Sequence, residues 1–269
     1  MRCKLLSLLA VTLSIGDTQL LWGADMPLKA PVSPAAAYNW TGWYVGGNVG
    51  YGWGINSGPG VSVVDPAGPG FVGFSSYFAA GGNRIQNLNP RGIIGGGEIG
   101  YNWSWSPSWV VGLVADFQGS GITAAATNMP TAPSFGVAAT TAQSNADQID
   151  WFGTVRAKFG FAENNWLLYA TSGLAYGRVA TSGSFICVSA ACAGLSFAGT
   201  NSATNVGGAV GAGLDYALTS NWIVGVEYLY IDLGKQSYTE TQPALTPSTL
   251  TISNRAAANI VRASLDYKF

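Results

Sequence analysis

Apolar and polar residues alternate with a period of two in eight separate stretches of the chain: residues 43–53, 93–103, 109–119, 150–161, 166–179, 206–218, 222–233 and 259–269. In the last of these, Val261, Ala263, Leu265, Tyr267 and Phe269 share one parity, and Arg262, Ser264, Asp266 and Lys268 share the other. A period of two places alternate side chains on opposite faces of a strand. A length of about ten residues is what a tilted strand needs to cross an outer membrane. In residues 166–179 both parities carry apolar residues, so the facing of that strand stays open. The joins sharpen the picture. Residues 104–108, 162–165 and 219–221 are short and carry turn formers (Pro107, Asn164, Asn165, Ser220 and Asn221). Residues 54–92, 120–149, 180–205 and 234–258 are long and rich in Gly, Ser, Thr, Ala and Pro. Short turns at one end and long loops at the other predict an all-β fold: an eight-stranded antiparallel up-and-down transmembrane β-barrel.

The chain terminus points the same way. A free end frays into water, where an aromatic side chain loses its burial. At a bilayer interface the same ring sits in an aromatic girdle. Tyr267 and Phe269 therefore predict a closing strand that ends at the membrane surface. The outward aromatics Trp43, Trp53, Trp103, Trp109, Trp151, Trp166, Trp222, Tyr228 and Tyr230 could form a carbohydrate-stacking set, but their places near strand ends fit interface girdles better.

Before the first strand, residues 1–24 carry Arg2 and Lys4, an apolar run and then Ala24, the order of a secretory signal peptide. Residues 25–40, with Pro27, Pro31 and Pro34, read as a Pro-rich periplasmic linker, and residues 41–269 as the barrel.

Composition narrows what this barrel can do. Only 9% of residues are charged, against about 25% in soluble domains, so the surface faces lipid or uncharged polar groups. The formal net charge of −1 argues against nucleic acid as a partner, which needs a basic face. The chain has no histidine, which removes the commonest general base and metal ligand and with them Ser-His hydrolases. No cofactor or metal is expected.

Several segments are familiar. W-T-G-W-Y-V-G-G-N-V-G-Y-G-W-G at residues 40–54, W-L-L-Y-A-T-S-G-L-A-Y-G at 166–177, V-G-V-E-Y-L-Y-I-D-L-G at 224–234 and the final Phe269 resemble the opacity-related outer-membrane immunogenic proteins, often labelled porin family. The resemblance covers the strands and little of the loops. It implies an eight-stranded barrel in a Gram-negative outer membrane, with long loops extracellular and termini periplasmic. It also implies recognition of Tyr267 and Phe269 by the barrel-assembly machinery, and no catalytic residues.

The inward parity gives the candidate site: Glu98, Asp116, Arg156, Lys158, Asp215, Glu227, Arg262, Asp266 and Lys268. An eight-stranded lumen is only wide enough to be filled by side chains, and buried ions left alone cost several kcal/mol each. An ion-paired plug is the plain reading; a narrow water or ion path and a ligand site are its alternatives. Glu98 and Asp116 could be offered as an acid-base pair, but Arg156 and Lys158 on the next strand would neutralise them. The Gly95–Glu98 stretch lacks the lysine and helix of a phosphate loop. Cys187 and Cys192 predict a disulfide in a surface loop of an oxidised chain. Phe71, Phe74, Tyr77 and Phe78 in the first long loop could pack on one another or meet a partner.

Together these features predict a non-enzymatic barrel contributing to envelope integrity and surface contacts. Its partners would be outer-membrane lipid, lipopolysaccharide and host or neighbouring envelope proteins. The alternative is a small porin-like diffusion channel for ions or small solutes; a lipid-acting enzyme is disfavoured by the missing histidine.

Overall fold

The computed structural model describes residues 38–55, 60–64, 88–134, 137–190, 196–241 and 249–269. The segment read as a signal peptide, most of the segment read as a linker, the loop aromatics Phe71, Phe74, Tyr77 and Phe78, and Cys192 lie outside the described residues.

Among the described residues there are ten strands: β1 (Gly42–Gly54), β2 (Gly60–Val64), β3 (Arg91–Ser106), β4 (Trp109–Asn128), β5 (Thr131–Ser134), β6 (Val137–Glu163), β7 (Trp166–Cys187), β8 (Ser196–Ala217), β9 (Trp222–Thr241) and β10 (Thr249–Lys268). Eight of them follow one another antiparallel in the order β1, β3, β4, β6, β7, β8, β9, β10. The ring closes where β10 pairs with β1, from Tyr44 opposite Lys268 to Gly54 opposite Ala258. Closure leaves no open edge in the membrane, which is the condition for strands to cross lipid. The two additional strands lie outside this ring path, β2 on the outer end of β10 and β5 on β6.

The turns follow their residues. Asn164 takes a left-handed conformation, φ 52°, in the β6–β7 turn, which asparagine tolerates better than most side chains. In the β8–β9 turn, Thr219 accepts hydrogen bonds from the Asn221 and Trp222 backbone N–H groups.

Burial separates the two faces of the ring. Outward side chains such as Leu113, Leu168, Leu174 and Val206 are 61–70% exposed, so the apolar rows have no protein cover and lipid is their solvent. In β7, Leu167, Tyr169, Thr171 and Ala175 point inward and Trp166, Leu168 and Leu174 outward, which settles the facing the sequence left open.

The segments read as long loops differ from expectation. Much of residues 120–149, 180–205 and 234–258 continues as strand. The alternation is hidden because parity changes at irregularities: the β6–β7 register shifts between Ile149 and Trp151, and Gly234 on β9 takes φ 81° near a shift on β10 between Arg255 and Ala257. A one-residue bulge turns every later side chain to the opposite face. Beyond the bilayer the outer face meets water, so Thr, Ser and Asn replace large apolar residues there.

Candidate functional site

All nine predicted lumen charges point into the ring. Asp116, Arg156, Lys158, Asp215, Glu227, Arg262, Asp266 and Lys268 are buried, and the Glu98 side chain is 9% exposed. Strand register brings them together from distant parts of the chain. Glu98 lies directly opposite Asp116 across β3 and β4, and Arg262 lies directly opposite Glu227 across β10 and β9.

Two guanidinium groups hold the centre. Arg156 Nη2 lies 2.8 Å from Asp116 Oδ2, and Arg156 also pairs with Glu227. Its Nε donates to Thr154 Oγ1 and its Nη1 to Thr171 Oγ1, each at 2.8 Å. Arg262 Nη2 reaches Glu227 Oε2 at 2.6 Å, Asp116 Oδ2 at 3.0 Å and Glu98 Oε2 at 3.5 Å. Asn48 Nδ2 donates to Glu98 at 3.0 Å. The cations that neutralise Glu98 and Asp116 are thus Arg156 and Arg262. Lys158, expected to help, pairs instead with Asp215 at 3.0 Å and lies over the Tyr169 ring, 4.0 Å from its centroid. Arg156 meets both oxygens of Glu227 in a fork-shaped contact, and Asp116 and Glu98 are each met through a single oxygen.

Asp266 sits nearby without an ion pair among the described residues; Ser264 Oγ donates to its Oδ2 at 3.1 Å. Its carboxylate fills the space beside Gly46, where an added Cβ would lie 1.7 Å from Oδ1. Any larger residue at position 46 would displace Asp266.

Apolar side chains close the lumen on both sides of the charges. Toward the long-loop end lie Ile94, Ile122, Phe152, Leu229, Ile231 and Ile260, among others. Toward the short-turn end Val110, Leu167, Tyr169, Ala217 and Ile223 surround Trp40, which is 1% exposed. Trp40 belongs to the stretch read as linker, so the barrel unit takes in residues 38–40 as well. Tyr38 meets Trp40 edge to face, with centroids 4.8 Å apart, and its hydroxyl donates to the Ser220 carbonyl at 3.1 Å. Lys268 Nζ donates to the Asn39 carbonyl and lies over the Tyr38 ring. A lone aromatic before the first alternating stretch carries no periodic signal, so sequence reasoning missed it.

The remaining predicted residues are placed as follows. Tyr267 stacks edge to face with Phe269 at 5.3 Å and with Trp222 at 5.2 Å, and the Phe269 backbone N–H donates to the Trp43 carbonyl at 3.0 Å. Cys187 ends β7 and is disulfide-bonded; Cys192 is outside the described residues. Gly95–Glu98 runs within β3, with no helix to receive a phosphate.

Further along the lumen, past the first apolar layer, sequence reasoning missed a second polar layer. It includes Gln143, Asp147, Thr181, Gln236, Tyr238, Glu240 and Asn254. Burial pushes the Asp147 carboxyl up, against a hydrogen bond from Asn254, and raises the Glu240 carboxyl to about 7.

Residues 28–269 match the outer membrane protein beta-barrel domain. The chain is 31% identical over 255 residues to the 31 kDa outer-membrane immunogenic protein of Brucella melitensis, covering 91% of this chain and 92% of that protein. It is 25% identical over 243 residues to the 25 kDa outer-membrane immunogenic protein of Brucella abortus, covering 90% and 85%. The crystal structure of the outer membrane protein OprG from Pseudomonas aeruginosa aligns with a TM-score of 0.44 and 13% identity over 86% of this chain and 98% of OprG. With its strands closed into a ring and its apolar rows facing outward, the chain belongs to the outer membrane protein beta-barrel domain family of the Gram-negative outer membrane.

Proposed function

We infer that this protein is a non-enzymatic element of the envelope: a sealed barrel that stiffens the outer membrane and presents its long-loop end to the surroundings. The observation that carries this reading is the filled lumen. The central network of Arg156, Arg262, Asp116 and Glu227 lies between two apolar layers, and Trp40 occupies the short-turn end. Ions crossing such a path would have to break buried ion pairs and wet two greasy layers, each at a cost of several kcal/mol. The relatives are outer-membrane immunogenic proteins, which supports a surface-exposed role.

The partners follow from the surfaces. Lipid and lipopolysaccharide meet the outward rows and the rim. The barrel-assembly machinery would read Tyr267 and Phe269 during insertion. Host or neighbouring envelope proteins would meet the loops, one of them closed by a Cys187–Cys192 disulfide.

Reconstitution into planar bilayers separates this role from a diffusion channel. Silence is expected even at high protein; steady single-channel steps would replace the sealed-strut reading with the channel. Alkylation with and without reductant tests the disulfide, and two free thiols without reductant would remove it.

A further inference from the structure

The outer polar layer differs from the central arginine network in its charge balance. Glu240 is 1% exposed, and its Oε2 has no hydrogen-bond partner in the structure. It has no ion pair among the described residues. Arg178 and Arg255, on the same strand extensions, are half-exposed and held by Asp150 and Asp232. Among the described residues, the groups beside Glu240 are Tyr238 on β9, Gln143 and Asn145 on β6, Gly183 and Phe185 on β7, Gly199 on β8, and Leu250 and Ile252 on β10, with Asp147 near Tyr238. None of these is a cation.

With no cation beside it among the described residues, the carboxyl either holds its proton or takes a counter-ion from solution. Beside it lies a cavity of about 10 Å³, bordered by Glu240, the inward-facing amides Gln143 and Asn145, the Ser184 backbone, and the apolar Phe185, Leu250 and Ile252. Tyr238 Oη donates to Asn145 Oδ1 at 3.0 Å, which fixes that oxygen and leaves its second lone pair available. Gly183 keeps the space open: an added Cβ would lie 2.4 Å from both Glu240 Oε1 and the Tyr238 hydroxyl.

The geometry points to a seat for one small monovalent cation, such as potassium or sodium, held by Glu240 with the side-chain oxygens of Asn145 and Gln143. The size and charge of the seat select this class. A cavity of this volume accepts one particle of about water's size. Magnesium keeps several of its waters, and calcium takes about six to eight oxygens, often from several carboxylates; one carboxylate in a water-sized cavity serves neither. Proton and cation compete for the same oxygen. The raised Glu240 carboxyl, at about 7, places that exchange in the neutral range.

The test is amide hydrogen exchange on the full chain refolded in lipid bilayers, read as protection factors for residues 236–241 and 249–254. Potassium or sodium chloride is compared with choline chloride at equal ionic strength, at pH 8 and pH 5. At pH 8 the small cation should slow exchange about fivefold when its concentration is about four times its Kd, and at pH 5 the effect should vanish. Glu240→Gln should lose the cation effect while keeping the folded, heat-modifiable band on gels, and Asp147→Asn should retain it. Equal exchange in choline and potassium or sodium at pH 8 overturns the seat. A pH effect without a cation effect does the same and leaves Glu240 as a proton site only. A cation effect lost in Asp147→Asn but kept in Glu240→Gln overturns the choice of ligand.

Discussion

Asp116, Glu227 and Glu240 all lie inside the same ring and are almost fully buried. The first two share contacts from Arg156 and Arg262, whereas Glu240 meets amides, hydroxyls and apolar side chains. Around Arg156 and Arg262 the central network carries its own counter-charge on side chains fixed by strand register. The outer layer leaves its carboxylates to the solution. A network of the first kind ties strands together whatever the medium, while one of the second kind responds to pH and salt. The difference matches position: the arginine network sits at membrane depth, and the outer layer lies on strand extensions beyond it.

Removing one member of the central network should have the largest effect. Arg262→Met leaves Asp116, Glu98 and Glu227 short of a cation and should cost about 3–5 kcal/mol. Urea unfolding in vesicles followed by tryptophan fluorescence would measure it, and a loss under about 1 kcal/mol would mean that the acids find other partners. Trp40→Ala comes next, at about 3 kcal/mol for an emptied aromatic socket, read in the same assay.

The outer layer should answer to pH with the opposite sign from a salt-bridged carboxylate. Its Glu240 carboxyl is raised from 4.5 to about 7. In choline buffer the closed outer wall is therefore most stable below pH of about 4.5. It weakens as pH rises from there through about 7 and changes little beyond, losing about 3 kcal/mol in all. Glu240→Gln should flatten that profile, and a variant that keeps the slope would assign the titration elsewhere. At the small end, Arg178→Ala removes a half-exposed pair with Asp150 and should change stability by less than about 1 kcal/mol. A larger loss would show that the outer wall, too, depends on fixed pairs.

Where the period of two is unbroken, sequence and structure coincide. The eight alternating stretches correspond to the eight ring strands, and the charged parity of residues 259–269 points inward because its apolar parity faces lipid. The outer layer was hidden for a physical reason. Gly234 and the shift between Ile149 and Trp151 reverse parity, so Tyr238 and Glu240 fall out of phase with Glu227 and Leu229. Pairing between specific charges was equally illegible, because it depends on side-chain reach across the lumen: Lys158 sits two residues from Arg156 yet serves Asp215. Trp40 stands alone before the first strand, and only the assembled end of the ring reveals its socket.

That socket draws on β4, β6, β7, β8 and β9, while the neighbouring Asn39 is tied to Lys268, next to the last residue of the chain. The tryptophan emerges from the ribosome before any of them. It can find its place only after those five strands have assembled, so its docking is a late event in biogenesis. A protease cutting between Asn39 and Trp40 would therefore distinguish a finished barrel from one whose socket is still open.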